Sequence, residues 1–199
     1  MKRGARVTGR VPQLPASIPR RGNVFSRLLG LAGLAAAGWR MEGEFPDRPK
    51  LLAIVAPHTS NWDFALGIAA VYALGLHVRF LAKHTLFNPW IGWLMRWFGG
   101  TPVIREAPQG AVAQVVEVLE REPAIFLAIT PAGTRKRGAP WRSGFYHMAH
   151  AARVPILPIA FDRDRRAIRV FAPFEASGDY AADLPRLMAF FEGIRGLKD

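Results

Sequence analysis

The sequence predicts a single α/β domain in which a mixed, mostly parallel sheet is flanked by helices. Apolar runs of strand length alternate with segments of helical pattern over most of the chain, as in βαβ units. The run at 124–129 is continuously apolar, which is typical of a strand buried on both faces of a parallel sheet. The 199 residues, half of them hydrophobic, suffice for one domain with a full core.

The chain begins with a segment that predicts a basic flexible arm. Residues 1–23 contain three prolines, no acidic residue and six basic residues, namely Lys2, Arg3, Arg6, Arg10, Arg20 and Arg21. Such an arm is attracted to anionic lipid headgroups, by roughly 1 kcal/mol for each basic residue near the surface. A solvated tail without function is the alternative interpretation.

Residues 24–45 are predicted to form a membrane-interface helix and a linker. Only twelve uncharged residues lie between Arg27 and Arg40, whereas a membrane-spanning helix needs about 20. The segment suits a helix that lies in the interface, with Trp39 at the level of the headgroups. A helix of the protein core and a secretory signal are the alternatives.

The next elements are a strand at 51–56, a helix at 63–74 that ends at Gly75, and a strand at 77–82. In the segment 83–98, the spacing of Trp90, Trp93 and Trp97 predicts that they share one helix face. Core packing is one explanation for these residues, and an aromatic edge at a membrane surface is the other.

The second half of the chain continues the alternation. Strands are predicted at 101–105, 124–129 and 154–161 and within 163–170, and helices at 109–121, at 141–152 and from 183 onward. The helix at 109–121 is clearly amphipathic, with its apolar residues on one side. These elements complete the expected single domain.

The net charge is strongly positive, at +12, because 27 Lys and Arg residues face 15 Asp and Glu residues. A positive protein of this kind can bind nucleic acid, an anionic lipid surface or an anionic substrate. An arginine-biased composition without any ligand also explains the charge. The arginines are scattered and we find no recognised DNA- or RNA-binding motif, so we expect no nucleic-acid partner. The absence of cysteine excludes disulfides, thiolate catalysis and cysteine-ligated metals.

A His and an Asp lie close together after the strand at 51–56. His58 follows Pro57, and Asp63 lies at the start of the next helix, which Ser60 or Asn61 can cap. A carboxylate that holds one imidazole nitrogen leaves the other nitrogen free as a general base. A turn histidine and a simple helix cap are the alternative interpretation of this pair.

Three loops, including the one that carries this pair, are expected to converge at one end of the sheet. They are the segments 58–63, 100–105 and 130–137, and the last two supply glycines and arginines. Arg binds phosphate through a planar, bidentate fork, and Gly allows backbone N–H groups to approach an anion. A general base beside such a surface predicts group transfer to the hydroxyl of a phosphorylated acceptor.

Four motifs in this order resemble those of the glycerolipid acyltransferases, which include glycerol-3-phosphate and lysophosphatidate acyltransferases. They are His58-Thr-Ser-Asn-Trp-Asp63, Gly100-Thr-Pro-Val-Ile-Arg105, Pro131-Ala-Gly-Thr-Arg135 and Val154-Pro-Ile-Leu-Pro158, and the resemblance covers residues 50–162. It implies an acyltransferase domain at 46–199 with His58 and Asp63 as catalytic residues. It also implies substrate binding by Gly100, Arg105, Gly133, Thr134 and Arg135.

The resemblance implies direct transfer of a fatty acyl group from acyl-CoA or acyl-carrier protein to a lysophospholipid, by default 1-acylglycerol-3-phosphate. No covalent intermediate, cofactor or metal ion is expected, and the protein is expected to be peripheral or monotopic on the cytoplasmic face of a membrane. Ala132 replaces the Glu that the family normally carries in its third motif. A weakly active or inactive homologue that binds lipid is therefore the alternative.

Overall fold

A seven-stranded sheet forms the centre of the computed structural model, which describes residues 9–103, 108–134 and 138–197. The strands lie in the order β1-β7-β6-β2-β5-β3-β4. Their bounds are Arg40–Glu42 (β1), Lys50–Val55 (β2), Val78–Lys83 (β3), Gly100–Val103 (β4), Ile125–Ile129 (β5), Ile156–Asp162 (β6) and Ala167–Val170 (β7).

Strands β6, β2, β5, β3 and β4 are parallel, so their carboxyl ends lie at one edge of the sheet. Strand β7 returns antiparallel to β6, and β1 runs parallel to β7. In the central register, Ile54 of β2 pairs with Ile129 of β5, and Val55 pairs with Ile159 of β6. The mixed, mostly parallel sheet that the sequence predicts is confirmed.

Helices cover both faces of the sheet. Their bounds are Val24–Ala37 (α1), Asn61–Leu74 (α2), Gly92–Trp97 (α3), Pro108–Arg121 (α4), Gly144–Ala151 (α5) and Tyr180–Ala189 (α6). Leu51 and Ala53 of β2 pack on the side of α1 and α2, whereas the alternate residues Leu52 and Ile54 pack on the side of α4, α5 and α6. This division follows from the two-residue period of a strand.

The N-terminal helix packs tightly on α2 through a glycine. A Cβ atom added at Gly30 would overlap the backbone nitrogen of Ala73. Leu34, one turn further along, is fully buried in the core. Helix α1 is thus part of the domain, as in the core-helix alternative, while its other face stays open to solvent. Among the described residues, no helix has both the length and the apolar character needed to cross a membrane.

The prediction of a flexible arm is wrong for residues 9–23, which pack against the domain. Ile18 is 1% exposed and Leu14 is also buried, both in the core beside α2. The backbone N–H of Arg21 donates to the carbonyl of Gly75. Apolar burial and backbone pairing hold this segment despite its charge. Residues 1–8 lie outside the described part of the chain.

The segment after α1 also differs from its prediction. Trp39 is 5% exposed and packs against the ring of Phe161, so it does not lie on the surface at headgroup level. The predicted linker contributes the edge strand β1, and its Met41 and Phe45 side chains are buried. These apolar side chains are interspersed with charged residues, which made the segment resemble a linker.

The tryptophan-rich connection between β3 and β4 is not one continuous helix. A 3₁₀ turn at His84–Phe87 is followed by a tight turn, in which the Asn88 side chain accepts hydrogen bonds from the backbone of Trp90 and Ile91. Trp90 therefore precedes α3 and does not share a helix face with Trp93 and Trp97. The three indoles are 85%, 65% and 51% exposed, which contradicts core packing.

Candidate active site

The predicted His–Asp pair lies at the carboxyl edge of the sheet, directly after β2. The chain leaves the strand through a cis peptide bond between Ala56 and Pro57, and His58 follows. Helix α2 begins three residues later at Asn61, with Ser60 as its N-cap. A short loop between a buried strand and a capped helix thus fixes both members of the pair.

His58 and Asp63 contact each other as the sequence predicts. The Nδ1 atom of His58 lies 3.2 Å from Oδ2 of Asp63. The Asp63 carboxylate is fully buried, whereas the imidazole is 23% exposed. Because Nδ1 faces the carboxylate, the opposite ring nitrogen, Nε2, is left to meet a substrate. This is the arrangement that a histidine general base requires.

Asp63 is held in place by the backbone of its own loop. Its Oδ2 atom accepts hydrogen bonds from the N–H groups of Thr59, at 2.7 Å, and Ser60, at 2.8 Å. The Ser60 hydroxyl in turn accepts from the N–H of Trp62 and completes a capping box at the start of α2. The positive end of the helix also favours a charged carboxylate at this position. Asp63 is therefore a rigid support for the imidazole.

A cavity of about 710 Å³ extends from this pair along the sheet, beneath α2. Polar groups line the end of the cavity that lies at the carboxyl edge of the sheet. They belong to His58, Asn61, Asp63, Thr130 and Thr134. The remaining wall is almost entirely apolar, and it includes Ile68 and Val71 from α2, Phe80 from β3, and Phe126 and Ala128 from β5. Since Phe126 lies near the opposite end of the sheet, the cavity spans most of the height of β5.

The turn after β5 brings Gly133 and Thr134 to the same cavity as His58. Gly133 has a φ of 63°, a conformation that glycine adopts without strain, and its N–H donates to the carbonyl of Thr130. Thr59, Ser60 and Gly133 thus already use their N–H groups within the loops. None of these three is an uncommitted donor for an oxyanion.

The structure does not place Gly100 beside His58. Gly100 is the first residue of β4 and pairs with Phe80, in the middle of β3. A Cβ atom added there would lie 2.8 Å from the carbonyl oxygen of Met95 and 3.2 Å from the ring of Phe87. Gly100 therefore permits α3 to pack closely and does not line the cavity, and its predicted role in substrate binding stays a prediction. Arg105 and Arg135 lie outside the described residues, so their predicted roles stay predictions.

The apolar cavity wall is what the sequence reasoning missed. Gly67, Ile68 and Val71 of α2 line it, whereas the sequence pattern indicates only that they belong to a helix. A signal was present, since no charged residue follows Asp63 within the helix. Burial against the sheet accounts only for the apolar residues on one side of α2. The rest of the apolar pattern lines the cavity and the outer surface.

Comparison with known proteins agrees with the order of the motifs. Residues 42–162 match the acyltransferase family. The chain belongs to this family. Two relatives named 1-acyl-sn-glycerol-3-phosphate acyltransferase, from Escherichia coli (strain K12) and Salmonella typhimurium, are each 30% identical, over 158 and 155 residues. Each alignment covers 74% of this chain and 61% of the relative, so the chain spans about three fifths of the length of these curated relatives.

The acyltransferase fold is also found in a solved structure. The crystal structure of the 1-acyl-sn-glycerophosphate (LPA) acyltransferase PlsC from Thermotoga maritima superimposes with a TM-score of 0.56 at 17% sequence identity. The match covers 86% of this chain and 80% of that chain. The helix-flanked, mostly parallel sheet is therefore common to both proteins.

Proposed function

We propose that this protein transfers a fatty acyl group from the thioester of acyl-CoA or acyl-carrier protein to the free hydroxyl of a lysophospholipid. The observation that carries the proposal is the contact between His58 and Asp63 at the polar end of a long apolar cavity. The names of the relatives support 1-acylglycerol-3-phosphate as the default acceptor. No cofactor is needed beyond the acyl donor.

The proposed reaction is a direct transfer. Nε2 of His58 takes the proton of the acceptor hydroxyl while that oxygen attacks the thioester carbonyl carbon. A C–O bond forms and, as the tetrahedral intermediate collapses, the C–S bond breaks. The imidazolium then returns the proton to the departing thiolate, so the products are an ester and a free thiol. His58 ends the cycle in its starting state, as general acid–base catalysis requires.

Asp63 supports this step without touching the substrate. With Oδ2 facing Nδ1, the carboxylate favours the tautomer that has its proton on Nδ1 and leaves Nε2 unprotonated. The same negative charge stabilises the imidazolium that forms during the reaction. Because two backbone N–H groups fix Oδ2, Asp63 does not have to reorganise as that charge develops.

The cavity provides a site for the donor acyl chain. Burying each methylene group in an apolar environment contributes about 0.8 kcal/mol, so chain length affects affinity steeply. At the polar end, Gly133 and Thr134 border the space next to His58. We propose that Arg105 and Arg135 bind the acceptor phosphate there, as the motifs imply, because guanidinium groups pair well with phosphate.

An anionic membrane surface is the proposed location of the reaction. Lysophospholipids reside in membranes, and the net charge of +12 favours an anionic surface. We propose that the protein associates peripherally or monotopically with the cytoplasmic face, where acyl-CoA and acyl-carrier protein are available.

Replacing the base tests the mechanism. His58→Ala should lower kcat by 10²-fold or more, in line with the usual contribution of a general base. The assay follows thiol release from acyl-CoA in the presence of 1-acylglycerol-3-phosphate and a panel of other lysophospholipids. His147→Ala is the matched control, because His147 is an exposed histidine on α5, on the opposite face of the sheet. It should retain wild-type turnover.

Turnover by His58→Ala that equals the wild-type value would exclude the mechanism. Asp63→Asn provides a second test, since it retains the shape of the side chain but loses its charge. It should lower kcat with little change in acceptor KM. If the wild-type protein binds lysophospholipid vesicles but consumes no thioester with any acceptor, the inactive lipid-binding homologue is the correct description.

A further inference from the structure

The outer surface of the layer formed by α1, α2 and α3 exposes an unusual amount of apolar side chain. We call this surface the docking face and define it by its exposed large hydrophobic residues, namely Val24, Phe25, Leu28, Leu29, Trp62, Phe64, Trp90, Ile91, Trp93 and Trp97. Isolated exposed hydrophobics are common, but a concentration on one side of a protein marks an interaction surface. The proton transfer at His58 uses none of these side chains, although Phe64 also lines the cavity.

Charge identifies the kind of partner that fits this face. The sequence has no Asp or Glu in residues 1–41 or 64–105, which together provide α1, α3 and all of α2 after Asp63. Arg21, Arg27 and Arg96 are exposed in the same regions. Apolar and indole side chains next to arginines, in segments that contain no acidic residue, complement an anionic lipid surface. A second copy of the chain fits poorly, because like charges would meet.

The parts of the docking face are held together as one surface. Arg21, just before α1, donates a 2.8 Å hydrogen bond to the carbonyl of Trp97 in α3, and its guanidinium lies 5.6 Å from the centre of that indole ring. Trp97 also contacts the ring of Tyr72 on α2. Helix α1 is fixed to α2 at Gly30. The ends of the face therefore cannot move independently.

The docking face also reaches the candidate active site. Trp62 and Phe64 lie on either side of Asp63 in the first turn of α2, and Phe64 is exposed on the outside while it also lines the cavity. Phe64 contacts the rings of Phe80 in the sheet and Phe98 beside α3. A partner on this face thus lies within one helical turn of the catalytic pair.

We propose that the docking face inserts into the boundary between the headgroups and acyl chains of an anionic membrane, with Trp90 and Trp93 forming a second anchor beside α1. This orientation brings the His58 loop to headgroup level, where the free hydroxyl of a lysophospholipid lies. The placement of the His58 loop beside a lysophospholipid hydroxyl rests on the proposed acyltransferase function, whereas the insertion of the docking face into a membrane does not. The two can therefore be tested separately.

Vesicle binding tests the anchor. Wild-type protein is sedimented with vesicles of phosphatidylglycerol and phosphatidylcholine, and Trp90→Ser/Trp93→Ser should bind at least tenfold more weakly. Met188→Ser is the matched control, because Met188 is an exposed apolar residue on α6, on the opposite face. It should bind within twofold of wild type. Phosphatidylcholine alone, or high salt, should weaken wild-type binding, since both reduce electrostatic attraction.

A second measurement uses the absence of natural cysteines. An environment-sensitive fluorophore is attached to Leu28→Cys or, in a separate protein, to Met188→Cys. The label at position 28 should shift to shorter wavelength when vesicles are added, and the label at 188 should not. The reverse pattern would overturn the proposal, as would equal vesicle binding by the double serine variant. Concentration-dependent dimers that the double variant loses, without vesicle binding, would assign the face to self-association.

The effect of membrane docking on catalysis is measured separately, through the KM for lysophospholipid. The double serine variant should show a raised KM for vesicle-borne lysophospholipid and unchanged turnover of a short-chain, water-soluble acceptor. Full activity on vesicles despite lost binding would contradict the link between docking and catalysis. His58→Ala should bind vesicles as the wild type does. If the wild type and His58→Ala both bind vesicles, the double serine variant does not, and no protein transfers acyl groups, the acyltransferase proposal fails and the docking face stands.

Discussion

The two helix layers bury the same sheet but present different surfaces to the outside. Of the eleven exposed large hydrophobic residues in the described chain, ten belong to the side of α1, α2 and α3, and one, Met188, belongs to α6. The layer of α4, α5 and α6 instead contains a buried polar network around Asp183. The layer of α1, α2 and α3 thus exposes many apolar side chains, whereas the layer of α4, α5 and α6 exposes few and buries a hydrogen-bonded carboxylate.

The difference shows that packing alone does not account for the apolar surface. Both sides have a continuous core, with Leu34 and Ala73 fully buried on one and Leu119 and Leu187 fully buried on the other. The fold therefore does not need further apolar residues on the outside of α1–α3. Those residues add no core volume, so the reason for their presence lies in what the protein contacts.

A large effect on stability is expected where α1 meets α2. Gly30→Leu should destabilise the protein by about 3 kcal/mol, because the added side chain overlaps the α2 backbone at Ala73 and forces the helices apart. The free energy of unfolding is measured by urea denaturation. Gly33→Ala is the control, since its Cβ would lie 3.4 Å from the Cβ of Ala69. Equal losses in the two variants would show that α1 is not anchored at Gly30.

On the opposite side, stability should depend on a buried carboxylate. Asp183 accepts hydrogen bonds from the Tyr146 hydroxyl and the Ser177 N–H, both at 2.7 Å, and from Arg186 at 3.0 Å. Asp183→Asn should cost about 2 kcal/mol, because a charged acceptor is lost and an amide N–H faces these donors. Arg186→Gln should cost less, since Arg186 is largely exposed. Equal losses of stability in the two variants would show that the ion pair between Arg186 and Asp183 accounts for the contribution of Asp183.

The same carboxylate should make the stability depend on acid. Burial by itself raises the pKa of Asp183, but hydrogen bonds from Ser177 and Tyr146 and the charge of Arg186 outweigh it and lower the pKa to about 2. A lowered folded-state pKa gives stability that is present above the unfolded value, near 4, and is lost as the pH falls towards 2. Asp183→Asn should therefore lose less stability than wild type over that range, as measured by thermal melts.

The sequence predicted the elements whose signals are local. The helix from Asn61 to Leu74 has a capping box at one end and Gly75, with a φ of 66°, at the other. The contact between His58 and Asp63 follows from that boundary, since a short loop leaves the two side chains few other positions. The central strands were found for a similar reason, because long apolar runs have one favourable location in a parallel sheet.

What the sequence did not predict depends on contacts between distant segments. Ile18 and Trp39 lie in stretches that look like an arm and a surface anchor, and only the core on α2 and Phe161 accounts for their burial. Gly100 was assigned from a motif, although its register with Phe80 keeps it away from the carboxyl edge. The cavity likewise needs α2, β3 and β5 together. Such features depend on the tertiary arrangement of the chain.

The smallest expected effect contrasts two tryptophans that the sequence treats alike. Trp93→Ser should change the free energy of unfolding by no more than about 0.5 kcal/mol, because the indole is 65% exposed. Trp39→Ser should cost about 3–5 kcal/mol, since that ring fills the core beside Phe161. Both values come from urea denaturation of the lipid-free protein. A large loss for Trp93→Ser would mean that the tryptophan supports the fold, and weaker vesicle binding would then no longer be evidence for a membrane anchor.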